Sequence, residues 1–344
     1  MIDLSERQKL ILSLVVRDYV ESAEPVSSKQ LVEHFNLDFS TATVRNELAA
    51  LTDLGYLRQP HTSAGRVPTE SGYRYFVERL LGKANLPSDA RSMIRHQFYQ
   101  MRHDMEEWMR LAASLLAQYS QSASLVTAPH SERARLKHLE LISTHGRQVL
   151  VVMVLTGGEL HQRLVTLDEP PLQEMLSATA AQLTALLHGL TVEDVLRIQD
   201  KFSGLDHVVA GWLISEMSQA DSLAAGEVYL DGITNIINQP EFSTSEEARR
   251  GLRLLEERSL LQDLISRTLV NSSVGGVQVL IGGEGAHEEL RQCSIILSRY
   301  GVPGLATGTL GVLGPMRMSY GRSLSAVRFI SGLLSDMVVE TLGE

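Results

Sequence analysis

Three helix starts fall at Ser5, Ser27 and Ser40, and their spacing constrains the first fifty-five residues more tightly than any other feature of the chain. Ser5 with Gln8 makes a capping box, after which Leu12, Val15, Val16 and Tyr19 recur at i, i+3, i+4 and i+7. Val26 precedes Ser27, with Gln30 at the third helical position and Leu31 at the fourth, so a capping box and a hydrophobic staple coincide. That helix ends near Phe35, at the turn Asn36-Leu37-Asp38. Ser40 opens the third helix, with Phe39 and Val44 at staple spacing and Val44, Leu48 and Leu51 as its buried stripe; Gly55 supplies a left-handed end. A short helix, a short turn and a second helix make a helix-turn-helix.

Opposite its buried stripe the third helix presents Ala42, Asn46, Ala49 and Asp53, flanked by Thr43 and Arg45. Small residues let a helix approach base edges, while Arg and Asn pair bidentately with guanine and adenine. Thr41 and Thr43 stand in the first turn, where hydroxyls and unpaired N–H groups hold phosphate. The plain alternative is a helical hairpin packed on its own domain. Next, Tyr56-Leu57-Arg58 reads as a strand and Gln59 to Pro68 as the polar, glycine-bearing tip of a β-hairpin. Its Arg58, His61, Thr62, Ser63 and Arg66 are donors suited to phosphate or a minor groove, the alternative being an ordinary hydrophilic turn. Thr69 then caps a fourth helix, with Tyr73, Phe76, Val77 and Leu80 inward and Arg74 and Arg79 outward.

Charge limits what such a unit can do alone. The net charge of −10 repels a polyanion, so any nucleic-acid contact must sit on one local face. Residues 1–82 hold nine Lys/Arg against eleven Asp/Glu, and residues 40–74 hold four against three. Each neutralised phosphate contributes about one unit of salt slope, so four cations are a thin footprint. Two copies on two half-sites are therefore expected.

The chain of 344 residues suggests two or three domains, and 44% hydrophobic with 21% charged residues excludes disordered, collagenous and fibrous classes. Its longest apolar run, Val149 to Leu155, is seven residues, against about 20 for a membrane-crossing helix. Asp3, Glu6, Arg7 and Lys9 leave no apolar core for a secretion signal, and the single Cys293 fits a reducing cytoplasm. Catalytic chemistry finds no foothold. Ile281-Gly282-Gly283-Glu284-Gly285 follows a strand but lacks a Lys-Ser/Thr pair, so a tight strand-to-helix turn is the better reading. His96 and His103 stand seven apart, too far for i, i+4 metal ligation, and Asp206-His207 has no nucleophile at a recognisable spacing. Cys293 beside Ser294-Ile295-Ile296 reads as a small core residue. Neither metal nor cofactor is called for, and the chain is expected not to be an enzyme.

Beyond Gly82, Ile94, Phe98, Met101, Met105, Trp108, Ala112, Leu115 and Tyr119 recur at alternating spacings of four and three, an apolar seam along one long helix. That seam serves either a second protomer or the chain's own domain. Val149 to Leu155 reads as a strand buried on both faces, Leu160–Leu167 as another strand, and a helix follows Pro170-Pro171 with Leu172, Met175, Leu176, Thr179 and Leu183. Strand character returns at Val277–Ile281 and Ser294–Leu297, Leu310–Tyr320 is punctuated by glycine, and Arg322–Leu342 is helical. Strand pairs flanked by helices make the class α+β.

The runs Thr41-Ala42-Thr43-Val44-Arg45-Asn46-Glu47, Leu54-Gly55-Tyr56-Leu57, His61-Thr62-Ser63-Ala64-Gly65-Arg66-Val67-Pro68 and Gly72-Tyr73-Arg74-Tyr75 resemble the N-terminal signature of HrcA, the bacterial heat-inducible transcription repressor family. The resemblance is strong over residues 5–81 and Gly311–Val338 and more diffuse between. It implies a winged helix-turn-helix at 1–82, a linking helix at 83–125, a GAF-like α+β domain at 126–189 and 229–344, and an inserted dimerising subdomain at 190–228. It further implies a cytoplasmic homodimer that represses chaperone operons by binding an inverted-repeat operator in double-stranded DNA, with a GroEL-type chaperonin sustaining its activity and heat lowering it. In that reading Arg45 and Asn46 meet base edges, while Thr41, Thr43, Arg58, His61, Thr62, Ser63, Arg66 and Arg74 serve phosphate or the wing. The alternative is a metabolite-responsive regulator with a small-molecule site in the GAF-like domain.

Overall fold

The computed structural model describes residues 4–62, 64–82, 85–101, 104–130, 133–156, 158–222, 227–244, 250–253, 255, 257–269, 272–283 and 290–342. The chain opens with α1 (Glu6–Ser22), α2 (Ser28–Phe35) and α3 (Thr41–Asp53), each capped by the expected serine. The capping box at Ser5 closes in both directions. At Ser27 only half of it forms. The Ser27 hydroxyl accepts from the Gln30 N–H, but the Gln30 amide turns away and donates to Asp18 Oδ2 at 2.9 Å. Asp18 is buried, and the Nδ1 of His34 lies 2.8 Å from its other oxygen. A buried carboxylate is costly without partners, so it draws both side chains of α2 toward α1. Strands β1 (Leu57–Arg58) and β2 (Val67–Pro68) pair antiparallel, and Val26 bridges Arg66, which ties the hairpin to the α1–α2 turn. Helix α4 (Glu70–Tyr75) continues as a π-helical turn over Phe76–Leu80.

The single linking helix expected over 83–125 is two helices, α5 (Ser88–Gln100) and α6 (Met105–Ser120). Asp104 breaks the run: its backbone is extended and its carboxylate accepts from the N–H groups of Glu106 and Glu107, a strong local start signal. Ile94, Phe98, Trp108, Ala112 and Leu115 are buried in a core shared with α1 to α4, so this part of the seam serves its own chain.

From α6 the chain enters β3 (Ala123–Thr127), then forms β4 (Leu136–Ser143), β5 (Gln148–Leu155), β6 (Leu160–Thr166), α7 (Gln173–Leu187), α8 (Val192–Ile198) and α9 (Gly204–Ser222). It goes on through β7 (Val228–Asp231), the short helices α10 (Ile233–Ile237) and α11 (Pro240–Thr244), α12 (Arg258–Leu269), β8 (Val277–Ile281), β9 (Cys293–Val302), β10 (Ala306–Pro315) and α13 (Tyr320–Leu342). A five-stranded antiparallel sheet runs in the order β7-β3-β10-β9-β8. Side chains alternate along it as the strand period demands. Val126, Ile296, Tyr300, Leu310 and Val312 face the core that holds α6 and α13, while Ala123, Leu125, Cys293, Ile295, Leu297 and Leu313 face the core built with α10 to α12.

Strands β4, β5 and β6 form a sheet of their own, and its core of Leu139, Val151, Met153, Leu176, Leu183, Trp212 and Met217 joins it to α7 and α9. The chain thus leaves the five-stranded sheet after β3 and rejoins it at β7. The expected insertion covers only 190–228, whereas β4–β6, which precede it, also pair with one another and not with the larger sheet. Strand β5 also differs from expectation: Val149, Val151, Met153 and Leu155 are buried, whereas Leu150, Val152 and Val154 on its other face are only half-buried. On α7, Leu176, Ala180, Leu183 and Leu187 are the buried positions, and Leu172 and Met175 are exposed. Among the described residues no single helix is long and apolar enough to cross a membrane.

Candidate nucleic-acid interface

Helix α3 is held by three apolar side chains, Val44, Leu48 and Leu51, so its opposite face is turned outward. Ala42, Arg45, Asn46, Ala49 and Asp53 are all exposed, as the 3.6-residue period requires. The side chains of Arg45 and Asn46 make no hydrogen bond or ion pair among the described residues. Nearby, Glu47 would oppose a phosphate, but Arg7 stands 3.4 Å from its carboxylate while also covering the Phe39 ring at 5.3 Å. That pairing partly neutralises the acid next to Asn46 in the chain.

The first turn of α3 divides its work. The Ser40 hydroxyl accepts from the Thr43 N–H at 3.1 Å and lies 2.9 Å from the Thr43 hydroxyl, so Thr43 belongs to the cap. The N–H groups of Thr41 and Ala42 sit where a helix provides no acceptor of its own, which leaves the half-buried Thr41 beside two donors suited to an anion.

In the hairpin, His61 and Thr62 are exposed at the tip. Ser63 lies outside the described residues. The loop is laced from within: the Gln59 amide donates to the carbonyls of Thr62 and Ala64 at 2.8 and 3.0 Å. Sequence reasoning passed over Gln59, although a long amide just before a glycine-bearing tip was the available signal. Gly65 passes so close to the α1–α2 turn that a Cβ there would stand 2.5 Å from the Val26 carbonyl. Arg66 is half-buried and donates from Nε to Thr52 Oγ1 at 3.0 Å, pinning the returning strand to the end of α3. Arg58 is exposed at the hairpin base.

Arg74 points elsewhere. Its Nη2 donates to the Val279 carbonyl of β8 at 2.7 Å, and its Nε lies 3.8 Å from Glu78. The outward side chain expected on α4 is therefore a tie between the helical unit and the five-stranded sheet. Two further contacts act with it: the Gly283 N–H donates to Glu70 at 3.3 Å, and Arg317 donates to the Val20 carbonyl at 3.2 Å.

A sequence model described as the HrcA protein C terminal domain matches residues 106–324. A heat-inducible transcription repressor HrcA from Roseiflexus sp. (strain RS-1) is 46% identical over 349 residues, covering 99% of this chain and 96% of that protein. The chain belongs to the HrcA family. A second HrcA repressor, from Herpetosiphon aurantiacus, is 41% identical and covers 100% of this chain and 98% of its own length. The family match begins after the helical unit, so likeness over α1 to α4 rests on these full-length HrcA relatives. A crystal structure of a hypothetical protein at 2.2 Å resolution matches 98% of this chain and all of its own, with 26% identity and a TM-score of 0.64.

HrcA is a family of transcription repressors and not of enzymes. Burial first, and then Glu241, push the Cys293 thiol up to about 12, so almost none of it is the reactive thiolate near neutral pH. Among the described residues no group of three or more His, Cys, Asp or Glu is placed to hold a metal ion. The rest of the glycine-rich turn after β8, from Glu284 to Gly285, lies outside the described residues.

Proposed function

We propose that this HrcA-family chain is a dimeric DNA-binding repressor of chaperone operons. In this reading α1 to α3 with the β1–β2 hairpin act as a winged helix-turn-helix. Arg45 and Asn46 read base edges in a major groove, and Thr41, Thr43, Arg58, His61, Thr62, Ser63 and Arg66 position the unit on phosphate or in the adjoining minor groove. The observation that carries it is the open face of α3: exposed donors without partners among the described residues, between small residues, on a helix whose other side is fully engaged. Arg74 supports the unit from behind rather than touching DNA in this arrangement.

Dimerisation on an inverted-repeat operator follows from the thin charge footprint of one copy. The β4–β6 sheet and its helices are the proposed dimerising subdomain, and the five-stranded sheet is the GAF-like domain. Strand β6 is an edge of its sheet carrying Leu160 and Leu164 at 61% and 50% exposure, an apolar edge of the kind a second copy covers. The relatives are named as heat-inducible, which supports release on heating. A GroEL-type chaperonin sustaining the active fold, in the cytoplasm, completes the proposal. A domain holding only about 5–15 kcal/mol loses much of its folded population when a few are removed.

The test is a footprint on the host's chaperonin promoter, with and without chaperonin, at two temperatures, alongside the oligomeric state in solution. Protection of a two-fold symmetric site by a dimer, lost on heating and restored by chaperonin, is the expected result. Tight binding by a monomer, or a dimer that ignores the promoter, overturns it.

A further inference from the structure

The helical unit and the five-stranded sheet leave a cleft of about 530 Å³ between them. Tyr19, Arg58 and Tyr73 wall it from the helical side, and Arg291 and Arg317 from the sheet side. Its two carboxylates already have partners. Both oxygens of Glu241 accept from Arg317, at 2.6 and 3.3 Å, and Glu70 accepts from the Gly283 N–H. The lining carries three arginines and these two acids. The Arg58 guanidinium makes no hydrogen bond or ion pair among the described residues.

Tyr73 adds an independent observation. Its side chain is 1% exposed, yet its hydroxyl has no hydrogen-bond partner among the described residues, an uncommon state for a buried polar group. Burial above all, with the neighbouring phenols of Tyr320 and Tyr19 adding to it, raises this phenol well above its ordinary value, so it remains a donor across the neutral range. Tyr73 itself lines the cleft beside Arg317 and Glu241, the groups that also act on its phenol. An unpaired guanidinium and an unpaired buried O–H both seek an acceptor, and the strongest acceptor for both is an oxyanion. The volume suits a metabolite-sized molecule.

We propose that this cleft binds a small molecule bearing a carboxylate or phosphate group, held by Arg58 and by the Tyr73 hydroxyl. A molecule seated there touches both units, so its binding and the undocking of the helical unit from the sheet are linked equilibria. Binding itself rests on the cleft alone and not on the DNA-binding reading, and it is measured without DNA.

The experiment titrates the purified full-length chain by calorimetry with inorganic phosphate in one series and malonate in another, at constant ionic strength. One saturable site per chain for at least one probe is expected, and the probe that binds identifies the oxyanion. Tyr73→Phe and Arg58→Ala should each weaken that probe about tenfold. Tyr73→Phe should leave the Tm without probe unchanged or higher, because it removes an unpartnered buried hydroxyl. The proposal is overturned if neither probe binds in the millimolar range, or if either variant binds the probe as tightly as the parent chain.

Discussion

Arg45 on α3 and Arg74 on α4 belong to the same helical unit and carry the same charge, yet the fold treats them in opposite ways. Arg45 stands on an open helix face with no hydrogen-bond or ion-pair partner among the described residues, its charge available to whatever approaches. Arg74 is half-buried and donates to a carbonyl on a strand 205 residues further along the chain. The hairpin between them is intermediate, since Arg58 and His61 are exposed while Arg66 is held by Thr52. The lesson is that residue type names a capacity, and the partner within hydrogen-bond reach decides whether that capacity serves structure or an outside ligand.

The sharpest way to break this division is Gly72→Ala at the base of α4. A Cβ there would stand 2.1 Å from the Tyr56 carbonyl oxygen, a backbone atom with little freedom to move. A loss of about 3 kcal/mol is expected in urea unfolding. Near-parent stability would show that α4 and the hairpin do not pack this closely. Next, Arg74→Ala should cost about 2 kcal/mol in docking, seen as faster hydrogen exchange in α4 and β8 with operator base preference unchanged. A relaxed base preference instead would move Arg74 to the DNA side of the division.

Arg45→Ala and Asn46→Ala test the other side. Each should change stability by no more than about 0.5 kcal/mol while costing about 1–3 kcal/mol in operator binding, with relaxed base preference in a gel-shift titration. Arg66→Ala should show both characters weakly, with about 1 kcal/mol of lost stability and a salt slope lower by about one. The smallest effect concerns Cys293. With its thiol raised to about 12, iodoacetamide at pH 8 should leave the folded chain unlabelled and label it only on unfolding. Ready labelling of the folded chain would contradict the buried placement.

Much of the helical unit was legible because its signals are local. Ser5, Ser27, Ser40 and Thr69 each cap a helix through an N–H three residues on, a relation visible in any sequence window. The exposed face of α3 followed from periodicity in the same way. The departures share one physical cause. Gln30 abandoned its capping box for Asp18, twelve residues back, because an unpaired buried carboxylate is worse than a half-made cap. The long helix across 83–125 broke at Asp104, where a cap signal stood inside an unbroken apolar rhythm. Strand β5 looked buried on both faces because Val149 to Leu155 are all apolar, but residue type does not say how many layers will cover a sheet.

The order of amino acids by itself set where helices begin, which face of α3 stays open, and which donors that face carries, since these depend on contacts within a turn or two. Only the tertiary structure decided that β4–β6 stand apart from the larger sheet, that Arg74 joins two units, and that Tyr73 lines a cleft with its hydroxyl unpartnered among the described residues. Those outcomes depend on groups brought together from distant parts of the chain, and the competition among such partners is settled only when the whole core is packed.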